Sequence, residues 1–475
     1  MRTPIIEAIH THIKGNPISY HVPGHKNGLL TTSFLPDFKQ IFPYDLTELD
    51  GLDDLHDAAG PIYESQTLCA AFYGASETNY LVGGSTSGNL AMVYGVCQEG
   101  DLVFVQRNCH KSILNALEFA RANVVFLEPE RSSLTGHAVG LTSETLKKAL
   151  LSHPHAKAII MTYPDYWGTV LDQAELFAVA RRAGLYILVD EAHGAHFQIG
   201  IEDRSCPPSA LSLGADVVVQ STHKMLPSLT MSAWMHLSYE LNDQIKRQIK
   251  RALGMFQSSS PSYLLLASLD ATRAYVENHG NEEYKKTIAS KLLLTDYLED
   301  ELGLHVINHA DEGYLSDPFK LIVKANNRSG RSLLSSLARL GIWAEMADEN
   351  HVLFVLGLGG NAVPNNNQLT RIEQTEKGST GPSSYANKGN KAFSDVVNLK
   401  PVYESIEVIP INKAVNRVSA VDIIPYPPGV PLLYRGELIN RSHIQKIEQL
   451  LNKNVRFQGH QPEKGMVVNV LGDEQ

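Results

Sequence analysis

Short apolar runs alternate with helix-like segments between about residues 79 and 237 of this 475-residue chain. The runs are apolar throughout, as expected for strands that are buried on both faces of a parallel sheet. Right-handed connections between such strands place helices on both faces of the sheet. The pattern therefore predicts an α/β domain with a mainly parallel, seven-stranded sheet. Its strands are predicted at residues 80–82, 102–105, 124–127, 158–161, 186–189, 217–219 and 233–235.

The remaining chain divides into segments of different character. Two long helices, at about 262–280 and 282–302, are predicted to lead from the α/β domain into a smaller α+β domain. Residues 361–398 are rich in polar residues and glycine, so an exposed linker or long loop is predicted there. The predicted division is an N-terminal arm at 1–45, the α/β domain at 46–280, a small domain at 281–360, the linker at 361–398 and a C-terminal domain at 399–475. In the small domain, strands are predicted at 318–323 and 352–356 and a helix at 332–340.

Composition limits the class of protein. The 51 acidic residues exceed the 41 basic ones, which argues against a surface for nucleic acid or anionic membrane and is compatible with a cationic substrate. No run approaches the roughly 18 apolar residues of a membrane span, and the N-terminus lacks the apolar core of a secretory signal, so a cytoplasmic protein is expected. Four cysteines without CxxC or metal-ligand spacing are typical of reduced thiols and predict no metal site: Cys69, Cys97, Cys109 and Cys206.

Two predicted strands end in residues that can carry chemistry. Lys224 closes the run 221–224 (Ser-Thr-His-Lys) after one strand, and Asp190 closes another. Ligands bind at the carboxyl ends of strands in such sheets, so both side chains are expected at one edge. A lysine can form a Schiff base with an aldehyde cofactor, hydroxyls can hold a phosphate, and a carboxylate can keep a pyridine nitrogen protonated. This combination predicts pyridoxal phosphate, although a strand-end aspartate alone commonly caps a helix.

A glycine-rich run at residues 83–89 follows a predicted strand and opens a helix. Backbone N–H groups and the helix dipole favour an anion at such a position, and the hydroxyls of Ser85, Thr86 and Ser87 add donors. A plain strand-to-helix connection is the alternative interpretation. Ser221 and His223, which flank the lysine position, can reach the same phosphate, whereas simple packing beside the sheet is the alternative for His223.

Two further histidines follow strands at the same edge. His193 can contact the cofactor ring oxygen or the substrate carboxylate, or it can be a buried histidine bonded to backbone. His110 can stack on the cofactor face opposite the lysine, or it can be a solvent-exposed histidine at a helix N-terminus.

An acidic segment precedes the sheet. A partly desolvated carboxylate there can hold the distal cation of a basic amino acid. A solvated, helix-capping loop is the preferred interpretation, because charge clusters usually face water. The acidic residues are Asp45 and the four candidate substrate-binding residues Glu48, Asp50, Asp53 and Asp54.

An ordered set of motifs supports one family resemblance. The motifs are PGHK at 23–26, DLTEL at 45–49, LDDLH at 52–56, RNCHKS at 107–112, DEAHG at 190–194, STHK at 221–224, SYLLLAS at 262–268 and YPPG at 426–429. Together they resemble the Orn/Lys/Arg decarboxylase family of bacterial fold-type-I pyridoxal phosphate enzymes. The match runs from about residue 19 to 437. The chain is most similar to the short members of the family, which have no N-terminal wing domain.

The resemblance implies roles for individual residues. Lys224 would be the Schiff-base lysine, Asp190 the partner of the pyridine nitrogen and His110 the stacking imidazole, with His193 and His223 completing the candidate catalytic set. Ser85, Thr86, Ser87, Ser221 and His223 would be phosphate or cofactor neighbours. The resemblance also implies a homodimer or higher homo-oligomer, in which a serine-rich stretch containing Ser260 and Ser262 reaches toward the cofactor phosphate of the partner subunit.

Two departures from the family pattern stand out. Relatives commonly read Pro-Thr-Tyr where this chain has Pro164, Asp165 and Tyr166, which places an extra carboxylate near the active edge. The polar stretch at about 365–391 is also unlike the compact connection expected, so the contribution of the C-terminal part to the site is left open.

The implied reaction is decarboxylation of a basic L-amino acid, arginine before lysine or ornithine, to an amine and carbon dioxide. Either Lys224 or His223 can return a proton to the α-carbon. Three alternatives stay open: an aminotransferase that holds the substrate carboxylate with an arginine such as Arg417 or Arg435, a catalytically silent pyridoxal-binding relative, and a nucleotide-binding module that uses the glycine-rich run without pyridoxal.

Overall fold

The computed structural model describes residues 2–30, 36–301, 303–324, 328–339, 341–361, 392–399, 406–426, 431–452, 455–462 and 465–469. Its α-helices are Pro4–Lys14 (α1), Pro61–Tyr73 (α2), Gly84–Val96 (α3), Lys111–Ala120 (α4), Ser143–Ser152 (α5), Ala174–Arg182 (α6), Thr222–Met225 (α7), Asp243–Phe256 (α8), Tyr263–Asp296 (α9), Gly330–Arg339 (α10) and Arg441–Asn452 (α11). None of the helices in these ranges is both long enough and apolar enough to cross a bilayer.

The strands in the same ranges are Glu77–Leu81 (β1), Leu102–Gln106 (β2), Asn123–Leu127 (β3), Glu130–Arg131 (β4), Ala138–Gly140 (β5), Ala158–Thr162 (β6), Thr169–Val170 (β7), Tyr186–Asp190 (β8), Val217–Gln220 (β9), Ala233–Leu237 (β10), His305–Val306 (β11), Leu315–Ser316 (β12), Lys320–Lys324 (β13), Met346–Ala347 (β14), His351–Val355 (β15), Val397–Asn398 (β16), Ile406–Ile409 (β17), Ile423–Tyr426 (β18), Arg456–Gly459 (β19) and Met466–Asn469 (β20).

The central sheet has the order β1-β10-β9-β8-β6-β2-β3-β16. Strands β3, β2, β6, β8 and β9 are parallel, whereas β10 runs antiparallel to both of its neighbours. All seven predicted strands are present, and the α/β fold class is confirmed. The continuous apolar runs predicted these strands because both faces of the sheet are covered: α3, α4 and α8 contribute to one buried cluster, and α1, α2, α5, α6 and α9 contribute to the other.

An eighth strand was not predicted. Val397 pairs with Val124, and Phe393 bridges to Leu127, so residues 392–398 add to the edge of the sheet. The prediction of an exposed linker up to residue 398 is therefore wrong for its last residues. The pairing satisfies backbone groups that an edge strand would leave open, which a polar composition does not reveal. Residues 362–391 lie outside the described residues.

The two helices predicted at 262–280 and 282–302 form one continuous helix, α9, up to Asp296. The sequence pattern predicts that the first of them ends at Gly280. Instead it is a contact point, since a Cβ there would lie 2.8 Å from the Ile199 side chain. Glycine costs a helix interior roughly 1 kcal/mol relative to alanine, and close packing against the α/β core outweighs that cost.

Two smaller units follow the α/β part. Strands β11, β13, β15 and β14 form an antiparallel sheet that packs with α10 around its own apolar core, and the predicted strands and helix of the small domain are present. Strands β17 to β20 and α11 surround a further core. The turn-rich motif at 426–429 lies largely outside the described residues. The exact domain boundaries stay a prediction.

Candidate active site

The carboxyl ends of β2, β6, β8 and β9 surround a small cavity, at the edge of the sheet that the sequence predicts. Five of its lining residues are site residues predicted from the sequence: Ser85, His110, Asp190, His193 and Lys224. The sequence predicts no role for the other four: Thr162, Pro164, Tyr166 and Ala192. Thr162 ends β6, so its position at the carboxyl end of a strand was the available signal.

Lys224 is one of the residues that line the cavity. Its Nζ lies 3.1 Å from His193 Nε2 and 5.7 Å from the centroid of the Tyr166 ring. Desolvation by the surrounding protein lowers the pKa of Lys224, whereas the Asp190 carboxylate raises it and the Lys320 ammonium lowers it further. A lowered pKa increases the fraction of free amine, which is the nucleophilic form.

His193 Nε2 faces the Lys224 amine. When that amine is an ammonium it can only donate, so Nε2 then accepts and Nδ1 bears the hydrogen. Burial holds the pKa of His193 well below its usual range, and the Lys224 charge adds to this effect. The ring is therefore neutral beside the amine.

Two buried polar atoms of the cavity lining have no hydrogen-bond partner among the described residues: His193 Nδ1 and Thr162 Oγ1. Both side chains are 8% exposed. Buried polar groups are normally satisfied, and an unsatisfied one costs about 1–3 kcal/mol. These atoms, together with an amine and a carboxylate, fit a polar group such as pyridoxal phosphate with its substrate.

Asp190 ends β8 and is almost fully buried. Its Oδ2 accepts a hydrogen bond from Asn89 Nδ2 at 2.9 Å, and its Oδ1 accepts from the Ala192 N–H at 3.2 Å. Asn89 lies in the glycine-rich run but was given no role, because the sequence does not show that α3 brings it to a strand end about a hundred residues away.

His110 occupies the N-cap of α4. Its Nδ1 accepts from the Ser112 N–H at 3.2 Å and lies 2.8 Å from Ser112 Oγ. Burial lowers the pKa of His110, Asp190 opposes this, and Lys224 and Lys111 add to it. The ring is partly buried in the cavity rather than free in solvent.

The glycine-rich run places the start of α3 beside the cavity. The Ser221 hydroxyl donates to Ser85 Oγ at 2.8 Å, so one hydroxyl from each motif meets there. Thr86 is exposed, whereas the Ser87 hydroxyl donates to the Gly84 carbonyl at 2.9 Å within its own helix. The first turn of the helix and the Ser85–Ser221 pair are suited to an anion.

Six predicted cofactor neighbours lie outside the described lining of this cavity: Thr86, Ser87, Ser221, His223, Ser260 and Ser262. His223 is half-buried, and its Nδ1 donates to the Ser232 carbonyl at 2.9 Å. Ser260 is exposed, and its N–H donates to Ser258 Oγ at 3.1 Å, while Ser262 precedes α9. The contact of the two serines with a partner subunit stays a prediction.

The acidic candidates also lie outside the described lining. Asp53 is a structural residue, because its carboxylate accepts four backbone N–H groups at the start of α2, at 2.8 to 3.3 Å. Asp45 lies 3.2 Å from His25, and Asp54 accepts from the His56 N–H. Helix capping therefore describes Asp53. A substrate role stays a prediction for Glu48, Asp50, Asp53 and Asp54.

No arginine belongs to the cavity lining among the described residues. Arg417 pairs with Glu407, and Arg435 pairs with Glu118. Both candidates for holding the α-carboxylate of an aminotransferase substrate are thus engaged elsewhere.

The extra carboxylate of this chain, Asp165, is buried and lies between two residues of the cavity lining, Pro164 and Tyr166. Its Oδ1 accepts from the Gly168 N–H at 2.8 Å and the Thr169 N–H at 3.2 Å. Burial raises the pKa of Asp165 to about 7, although the Lys320 ammonium opposes the shift. Lys320 Nζ donates to the Tyr166 carbonyl at 3.1 Å. Asp165 therefore closes the turn that presents Tyr166 to Lys224.

Outside the cavity, His137, Asp348 and His351 bring ligand-type atoms within 4.8 Å of one another, which no sequence spacing indicates. His137 Nε2 lies 2.7 Å and His351 Nδ1 3.3 Å from Asp348 Oδ2. His137 also stacks on Trp167, with centroids 3.8 Å apart. These contacts describe a hydrogen-bonded cluster between the α/β part and the small sheet.

The family model described as Orn/Lys/Arg decarboxylase, major domain, matches residues 3–302, and that of the C-terminal domain matches residues 383–472. The chain belongs to the Orn/Lys/Arg decarboxylase family. This confirms the resemblance drawn from the motifs and shows a family of basic amino acid decarboxylases.

Similar proteins agree over nearly the full chain. A Bacillus subtilis protein named uncharacterized protein YaaO is 40% identical over 472 residues, covering 97% of this chain and 96% of that protein. An arginine decarboxylase of Bacillus anthracis is 30% identical over 480 residues, covering 96% and 94%. The solved lysine decarboxylase LdcF of Francisella novicida has a TM-score of 0.82 at 17% identity over 99% of this chain and 81% of that chain, which shows the shared fold.

Proposed function

We propose that the chain is a pyridoxal 5'-phosphate-dependent decarboxylase of a basic L-amino acid, arginine before lysine or ornithine. The observation that carries the proposal is the Lys224 amine, held with a lowered pKa in a cavity that also contains Asp190 and the start of α3. Arginine comes first because relatives at about 30% identity are named arginine decarboxylases.

The cofactor would supply an acceptor for the electron pair left on the α-carbon when carbon dioxide departs. The residues proposed to hold it are Lys224 through its amine, Asp190 at the pyridine nitrogen, His110 against the ring, His193 near the ring oxygen, and Ser85, Thr86, Ser87, Ser221 and His223 around the phosphate. Support comes from the cavity lining, from the Ser85–Ser221 pair and from the unsatisfied His193 and Thr162 atoms.

Lys224 is the proposed donor of the proton that returns to the α-carbon. Its Nζ lines the cavity and is hydrogen-bonded to the neutral His193, whose Nε2 accepts that hydrogen bond and orients the amine. His223 is the weaker candidate, since its Nδ1 is bound to the Ser232 carbonyl and the described lining does not include it. Thr162 and the His193 Nδ1–H would orient oxygen atoms of the ligand.

A homodimer completes the proposal, with Ser260 and Ser262 of each subunit reaching the phosphate held by the other. Ser260 is exposed and lies outside the lining of its own cavity, which supports a role across an interface. The division into an arm, an α/β domain, a small domain and a C-terminal domain is proposed with the boundaries given above.

The test is to incubate the purified protein with pyridoxal phosphate and arginine, lysine or ornithine, and to identify the products by mass spectrometry. We expect carbon dioxide and one amine, with the fastest turnover on arginine. Lys224→Ala should abolish product, and Lys147→Ala, at an exposed lysine, serves as the matched control. A keto acid in place of the amine would indicate an aminotransferase and refute the proposal.

A further inference from the structure

A buried hydrogen-bond chain joins Asp190 to His110, and Asn89 is its centre. The Asn89 side chain is 1% exposed. Its Nδ2 donates to Asp190 Oδ2 and to Ser112 Oγ, each at 2.9 Å. Ser112 Oγ in turn lies 2.8 Å from His110 Nδ1. Three elements, α3, α4 and β8, thus meet through one amide group.

The direction of every bond in this chain follows from the donors. The Ser112 backbone N–H donates to His110 Nδ1 at 3.2 Å, so this nitrogen carries a lone pair. Ser112 Oγ accepts from Asn89, and its own hydrogen is then directed to the same lone pair. The Asp190 carboxylate accepts from the amide nitrogen, which fixes the orientation of the amide.

The contribution of Asn89 comes from the two N–H donors of its amide. Asn89 Oδ1 is buried and has no hydrogen-bond partner among the described residues. An unsatisfied buried acceptor is a cost that an apolar side chain would avoid. Packing of α3 alone therefore does not account for asparagine at this position.

We infer that Asn89 is a positioning residue that anchors the Asp190 carboxylate and, through the Ser112 hydroxyl, holds His110 as a neutral imidazole with its proton on Nε2. The inference rests on the proposed function only in assigning Asp190 and His110 to a cofactor, because the hydrogen bonds belong to the cofactor-free protein. A neutral His110 carries no charge that would pair with the Asp190 carboxylate, which is then available to other cations. The charged groups around the His110 ring are Asp190, Lys111 and Lys224.

The test follows the side-chain nitrogens of His110 by NMR in cofactor-free protein labelled with ¹⁵N-histidine, with His110→Gln assigning the signals. In the natural protein we expect the Nε2–H tautomer at pH 8. In Asn89→Asp an oxygen replaces the nitrogen that lies 2.9 Å from Asp190 Oδ2, so the two carboxyl groups share one proton. The Ser112 hydroxyl then turns toward the new oxygen and offers a lone pair to His110. The pKa of His110 should then rise by at least one pH unit, and protonation should appear at Nδ1.

Two variants distinguish an effect through the hydrogen-bond chain from Asn89 to His110 from a simple charge effect. Combining Asn89→Asp with Ser112→Ala removes the hydroxyl, so the neutral ring should return to the Nε2–H tautomer. Asn123→Asp adds the same charge at the amino end of β3, where the Asn123 amide donates to the Gly100 carbonyl, and should leave His110 unchanged. An unchanged tautomer in Asn89→Asp, or the same tautomer change with and without Ser112, would overturn the inference.

Ser112→Ala alone keeps the inference testable if Asn89→Asp does not fold. Loss of a donor to the neutral ring should raise the pKa of His110 by at least half a pH unit. An unchanged pKa would overturn the inference. All readouts use cofactor-free protein. A failed amine assay therefore refutes the proposed function without affecting this result, and the reverse also holds.

Discussion

Solvent reaches Lys224 along the cavity, yet the surrounding protein lowers the pKa of its amine. Each pH unit by which the pKa falls gives about tenfold more free amine near neutral pH. We therefore expect a small acylating reagent at pH 7.5 to label Lys224 of the cofactor-free protein faster than exposed lysines such as Lys147. Asp190→Asn should increase this rate, because the Asp190 carboxylate raises the pKa of Lys224.

Peptide mapping by mass spectrometry measures the labelling, and Lys147 is the internal control in each sample. Comparing Lys224 with itself in the two proteins removes differences in steric access. A slower or equal rate at Lys224 in Asp190→Asn would contradict the electrostatic assignment.

Helix α2 begins without a capping side chain of its own, since Gly60 is its N-cap. The Asp53 carboxylate takes that role from seven residues upstream, accepting from the N–H groups of Ala59, Gly60, Ile62 and Tyr63. Asp53→Asn replaces one acceptor oxygen with a donor and removes a charge at the helix N-terminus. We expect the free energy of unfolding in urea to fall by about 1–2 kcal/mol.

The matched control for this change is Asp57→Asn, at an exposed position in the same loop. Its effect should stay within about 0.5 kcal/mol. Equal stability of the two variants would show that Asp53 does not stabilise α2.

The sequence predicted elements where the physical signal is local. Continuous apolar runs such as 217–219 mark strands that are covered on both faces, and chemistry-bearing residues at strand ends, such as Lys224 and Asp190, share an edge by topology. The sequence does not reveal features that depend on a contact with a residue far away in the chain. Asn89 has a role only because α3 meets β8, Val397 becomes a strand only against β3, and Gly280 continues a helix only because Ile199 packs on it.

At the scale of the whole molecule, two sets of buried groups respond to pH in opposite directions. Burial lowers the pKa of several histidines, among them His137, His193 and His236, the last to about 3. Burial raises the pKa of Glu191 to about 8 and that of Asp165 to about 7. Each set changes the number of protons bound by the folded chain relative to the unfolded one.

The signs predict a stability maximum near neutral pH. Below about pH 6.5 the unfolded chain protonates histidines that stay neutral when folded, so stability falls with pH by up to about 1.4 kcal/mol per pH unit for each histidine. Above the maximum the folded chain keeps protons on Glu191 and Asp165 that the unfolded chain has lost, so stability falls as pH rises toward 8. Between about pH 4.5 and 6.5 the two carboxyl groups partly offset the histidines, which outnumber them.

Urea unfolding of the cofactor-free protein between pH 5 and 8.5 measures this profile. We expect a maximum between about pH 6 and 7, and Glu191→Gln should flatten the decline on the alkaline side, because the side chain no longer loses a proton on unfolding. The exposed Glu175→Gln is the control and should keep the natural profile. A stability that rises continuously up to pH 8.5 would contradict this prediction, because it would mean that Glu191 and Asp165 are ionised in the folded protein. The buried Glu191 carboxylate would then be charged while it accepts from the Ala210 N–H and the Gln220 amide.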